Sequence, residues 1–76
     1  MEHELMTLSE FLKGKRKKSN LTQQQLAEKA GVGLRFIREL EQGKTTLRMD
    51  KVNQVLKLFG HELGPQPIHR NKMIKE

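Results

Sequence analysis

Lys13, Lys15, Arg16, Lys17 and Lys18 form the densest run of chemically capable side chains in the sequence, and what they can do is hold negative charge. Cations bunched this way can end a helix in solvent, where they also suit the carbonyl end of the helix dipole. They can equally face an acidic partner, or belong to a basic amphipathic segment lying on a membrane. The run alone leaves these readings open. Across the whole chain, fifteen Lys and Arg stand against nine Asp and Glu, a formal charge of +6. A domain this basic usually meets a polyanion, and nucleic acid is the first candidate.

Other chemistry finds little support. His3, His61 and His69 show no ligand spacing, and no His-Glu pair sits one helical turn apart, so no metal site is expected. There is no cysteine, which excludes disulfides and thiolate ligands and fits a reducing cytoplasm. No glycine-rich phosphate loop follows a strand, and no nucleophile stands beside a recognisable base and orienter. A chain of 76 residues is also too small to enclose a typical substrate pocket. The expectation is a non-enzyme with no catalytic residues and no cofactor. No apolar run approaches the roughly 20 residues that cross a bilayer, and no signal peptide is visible. With three Phe, no Trp and no Tyr, the chain lacks the stacking platforms of single-strand binders, which leaves duplex binding.

The elements that would position these cations are four helical segments joined by short turns. The first spans about 8–18. Thr7 and Glu10 have capping-box spacing, and Leu8, Phe11 and Leu12 share one face. Gly14 within it should cost roughly 1 kcal/mol relative to alanine. The second spans about 23–30, with a second capping box at Thr22 and Gln25 and a hydrophobic staple between Leu21 and Leu26. Leu26, Ala27 and Ala30 face inward and Gly31 ends it. The third spans about 34–42, with Gly33 as N-cap, Ile37 and Leu40 inward, and Gly43 closing it. The fourth spans about 48–59, with Asp50 in its first turn and an apolar stripe of Met49, Val52, Val55, Leu56 and Phe59 before Gly60. Residues 61–68 contain Gly64, Pro65 and Pro67 and are expected as an extended arm or short edge strand. Residues 69–76 read as a flexible basic tail. Residues 1–60 are expected to form the folded domain.

The chemistry concentrates in residues 21–41, "LTQQQLAEKAGVGLRFIRELE". Two short helices meet at Gly31-Val32-Gly33, where glycine permits a tight turn and a steep crossing. Val32 is the apolar plug between them, and small Ala27 allows close approach. "LTQQQLAEKAGV" and "LEQGK", at their present separation, resemble the Xre/phage-repressor family of helix-turn-helix proteins, and the likeness covers residues 8–63. "RFIRELEQGKTTLRMDKVNQVLKLFG" more narrowly resembles its HipB-like antitoxin branch.

That resemblance implies an all-α fold: a compact four- to five-helix, lambda-repressor-like helix-turn-helix domain with a short C-terminal arm or edge strand. It implies a cytoplasmic, sequence-specific transcriptional repressor that binds double-stranded DNA as a homodimer on an inverted-repeat operator. In the antitoxin branch it also implies a HipA-like serine/threonine kinase toxin as partner and repression of the shared operon. A stand-alone regulator, and a module whose main work is kinase docking, are the alternatives. By position, Thr22 and Gln23 would grip a backbone phosphate. Gly33, Leu34 and Arg35 would begin the recognition helix, with Arg35 reading guanine O6 and N7 and Leu34 touching a thymine methyl. Arg38 would reach bases or backbone, and Lys44, Thr45 and Arg48 would contact phosphates. Arg16 matches a family arginine that pairs with a glutamate, here Glu41, and a DNA role for it is the competing reading. Phe36 is expected to pack against the first helix or the partner protomer rather than wedge between bases. Gly64, Pro65 and Pro67 interrupt the dimerisation strand of that branch, so any intersubunit strand is short.

Overall fold

Side-chain oxygens set the starts of the first two helices. The computed structural model describes residues 6–68. Helix α1 (Leu8–Lys18) begins at Thr7, whose hydroxyl accepts the Glu10 amide at 3.2 Å while the Glu10 carboxylate accepts the Thr7 amide at 3.0 Å. Helix α2 (Gln23–Ala30) repeats the device, with Thr22 and Gln25 bonded reciprocally at 3.0 and 2.9 Å. Helix α3 (Leu34–Glu41) starts from Gly33 without a side-chain cap. Helix α4 (Met49–Lys57) also lacks one, because its N-cap residue Arg48 has no acceptor to offer a backbone amide; its guanidinium donates to Asp50 instead.

Each helix stops in the same way. A residue with positive φ follows the last turn, at Asn20, Gly31, Gly43 and Gly60, and the next amide bonds back to a carbonyl five residues earlier. Those bonds are Leu21 to Arg16, Val32 to Ala27, Lys44 to Glu39 and His61 to Leu56, at 3.0–3.1 Å. This pairing occupies carbonyls that a helix end otherwise leaves open. Asn20, at φ 57°, takes the role that glycine fills elsewhere, since its short polar side chain tolerates the left-handed region.

The core is small and lies where the four helices meet. Leu12, Leu26, Ile37 and Val55 are fully enclosed, and Ala27, Ala30, Leu40, Val52 and Leu56 complete it. Ala27 and Ala30 let α2 lie close against its neighbours α3 and α4, and α1 packs across α3. Leu8, Phe11, Leu21, Val32, Leu34 and Phe36 sit half-buried against this cluster. Two expectations are corrected. Met49 is 67% exposed rather than part of the apolar stripe, because the first residue of α4 projects away from the core that Val52 and Val55 enter. Phe59 packs on the core from the turn beyond α4, not from within the helix.

The described residues are all-α and contain no strand. Residues 61–68 follow α4 as an arm, held at Leu63, whose amide donates to Asn53 Oδ1 at 2.7 Å and whose side chain packs on the core. The predicted tail, 69–76, and His3 and His69 lie outside the described residues. Among the described residues no helix is long and apolar enough to cross a membrane, and no group of three or more His, Asp or Glu is arranged to hold a metal ion.

Candidate nucleic-acid interface

The turn between α2 and α3 determines where the outer face of α3 points. Gly31 adopts φ 76°, a conformation that strains any residue with a Cβ. A methyl built there would also meet Gln54 Nε2 at 3.4 Å. That approach is close because Gln54, on α4, donates to the carbonyls of Ala30 and Gly31 at 3.0 and 3.3 Å. One amide therefore caps the end of α2 and pins the hinge to a third helix. Val32 follows as a half-buried plug, and Ile37 and Leu40 anchor the inner face of α3.

A polar clamp fixes the other end of α3. Arg16 Nε and Nη2 donate to Glu41 Oε2 and Oε1 at 2.7 and 3.0 Å, a two-pronged contact suited to guanidinium and carboxylate. Arg16 Nη1 donates to the Leu21 carbonyl at 2.8 Å, and Gln23 Nε2 donates to Glu41 Oε1 at 3.0 Å. Side-chain exposures of 13% and 3% place the pair largely out of water. Burial, the largest single influence on Glu41, pushes its pKa up. The hydrogen bonds from Arg16 and Gln23 and the charges of Arg16 and Lys13 outweigh burial and hold the carboxyl below its ordinary value. The Glu41 hydrogen bond likewise raises the Arg16 pKa against burial. α1, α2 and α3 thus meet at one carboxylate, and Arg16 ties the α1–α2 turn to the same cluster. The Arg16 guanidinium belongs to this clamp.

The sequence-predicted contact residues fall into three groups. Thr22 and Gln23 open α2. The Thr22 hydroxyl accepts from Gln25 yet keeps its own proton to donate, and the Gln23 and Gln24 amides, at the start of the helix, have no intrahelical acceptor. The Gln23 side chain, expected on a phosphate, has its N–H directed to Glu41.

At the second group, Gly33 and Leu34 start α3, with Leu34 half-buried and Arg35 89% exposed. Arg38 is exposed and makes no ion pair among the described residues. Lys44 and Thr45 are exposed just past α3. Arg35 and Lys44 converge on Glu39, at 3.4 and 3.5 Å.

Arg48 forms the third group with Asp50, at 2.7 Å, and this contact lowers the Asp50 pKa. Phe36 rests half-buried on the core, as expected of a packing residue.

Glu39 and Gln54 were not singled out from the sequence. The first was legible, since Arg35 and Glu39 stand four apart on one helix. Gln54 gave no local signal, because its partners lie 23 and 24 residues away.

Two short helices joined at a left-handed glycine, braced by a third and presenting one exposed cationic face, make up a helix-turn-helix domain. The helix-turn-helix family profile matches residues 12–64, and the chain belongs to that family. An uncharacterized HTH-type transcriptional regulator from Sinorhizobium fredii is 58% identical over 45 residues, which covers 59% of this chain and 59% of that protein.

Proposed function

We propose that this protein is a cytoplasmic transcriptional repressor that binds double-stranded DNA as a homodimer, inserting α3 of each protomer into the major groove of an inverted-repeat operator. The observation that carries the reading is the division of α3. Its inner face is locked by Ile37 and Leu40, at 0% and 2% exposure, while Arg35 and Arg38 are exposed on the outside. A helix held this way presents base-reading groups without ordering itself on binding. Thr22 with the α2 amides, and Lys44, Thr45 and Arg48 beyond α3, then serve as phosphate contacts that fix register. The formal charge of +6 favours the encounter. The name of the Sinorhizobium fredii relative points the same way.

The test is selection of duplexes from a randomised pool, followed by binding measurements at moderate ionic strength. A selected inverted repeat bound at least about a thousandfold more tightly than random duplex is expected. Equal binding to both overturns the reading.

The finer assignment follows the HipB-like stretch from Arg35 to Gly60: an antitoxin that binds a HipA-like serine/threonine kinase toxin and represses their shared operon. Co-expression with a neighbouring kinase gene should yield a stable complex and neutralise the toxin. Failure to do either leaves a stand-alone regulator.

A further inference from the structure

Glu39 is the acidic side chain of α3 that the Arg16 clamp does not use, and it is placed between two cations assigned to DNA. Its Oε2 lies 3.4 Å from Arg35 Nε and its Oε1 lies 3.5 Å from Lys44 Nζ. The arrangement is built rather than incidental on the Lys44 side. The Lys44 amide donates to the Glu39 carbonyl at 3.1 Å, so the closure of α3 itself delivers Lys44 to this carboxylate. On the other side the pairing is the four-residue helical step from Arg35. The Glu39 side chain is only 27% exposed, while Arg35 and Lys44 are 89% and 46% exposed. The Glu39 side chain is therefore more shielded from water than the two cations it holds.

From this we infer that Glu39 is a specificity-determining residue that suppresses binding to non-cognate DNA. The inference rests on the proposed DNA-binding reading of α3. Two cations facing a phosphate backbone attract any duplex, whatever its sequence. With Glu39 between them, the trio carries a net charge of +1 instead of +2. A loosely docked backbone meets a masked surface and a half-buried negative charge. On the cognate site, Arg35 exchanges a surface ion pair, which is weak, for directional bonds to a base edge. Glu39 thus opposes the sequence-independent contribution more than the sequence-dependent one, which is how a repulsive element produces discrimination.

The experiment compares wild type with Glu39→Gln, which keeps shape and removes charge. Each is titrated against the duplex that wild type selects from a randomised pool and against a random duplex of equal length, over a range of salt. The expected result for E39Q is about tenfold tighter binding to random duplex, with a salt slope steeper by about one to two units as Arg35 and Lys44 are released. Affinity for the selected duplex changes less, so the ratio of the two falls several-fold. Glu39→Asp, which keeps the charge, is expected to retain most of the wild-type ratio. Random-duplex affinity and salt slope unchanged in E39Q would overturn the inference. So would a loss confined to the selected duplex, which would make Glu39 a direct acceptor for a base amino group. Wild type that prefers no duplex at all would instead overturn the underlying DNA-binding reading, before the variants are compared.

Discussion

Arg35 and Lys44 touch the same carboxylate but have different work in the proposed complex, and their removal separates the two kinds of contact. Arg35→Ala should weaken operator binding by about 1–3 kcal/mol and relax the preference at one base pair. Lys44→Ala should weaken all duplexes alike and reduce the salt slope by about one unit. Competition binding against single-position operator variants measures both. At the Arg16–Glu41 clamp the consequence is stability. Loss of the Glu41 charge leaves a mostly buried guanidinium short of an acceptor, so Glu41→Gln should cost about 2 kcal/mol in denaturant unfolding at neutral pH. The Glu41 pKa is lowered in the folded state from an ordinary value of 4.5. Its stabilisation is therefore fully present well above that value and is lost as pH falls through the lower folded-state pKa. The gap between wild type and E41Q should narrow as unfolding midpoints are followed from pH 7 to 3.

Among the elements, the α2–α3 hinge is where backbone conformation matters most. Gly31→Ala should destabilise by about 1–2 kcal/mol, since the new Cβ meets a left-handed backbone and the Gln54 amide. Gly33→Ser should act in the opposite direction. Gly33 has φ −78° and ψ 155°, no side-chain cap, and open space where a Cβ would stand. A serine there supplies the missing cap and restricts the unfolded chain, for a gain of about 0.5–1 kcal/mol. Thermal or urea melts of the two variants give the pair of signs. Both capping boxes were legible because they are encoded within four residues, and so was the left-handed role of Gly31. The closure at Asn20 was not singled out, since asparagine signals a left-handed turn less strongly than glycine does.

At the scale of the whole molecule, nine hydrophobic side chains among the described residues form the buried core, a thin interior for a domain of this size. A dimer would add burial to it and would set the spacing of two α3 helices at about 34 Å, one turn of duplex. Inserting about 5 base pairs between operator half-sites rotates one half-site to the opposite face of the DNA. That insertion should abolish cooperative binding, and about 10 base pairs should not restore it, because half-sites two turns apart lie beyond the spacing the dimer fixes. Gel-shift titrations over the spacer series report the outcome, and spacing-independent affinity would mean that protomers bind singly.

What the sequence by itself determined is local: the capped starts of α1 and α2, the glycine-hinged turn, the inward faces carrying Leu12, Leu26, Ile37 and Val55, and a family likeness strong enough to anticipate the Arg16–Glu41 pair. All but that pair follow from spacings within one or two helical turns, where neighbouring residues decide backbone conformation; the pair, 25 residues apart, came from the resemblance alone. Only the tertiary structure showed that Gln23 turns inward to Glu41, that Gln54 braces the hinge, that Met49 faces solvent, and that Arg35 and Lys44 share Glu39. Each of these depends on how a helix is rotated against its neighbours or on how a turn closes. That is settled by packing, not by the local order of residue types.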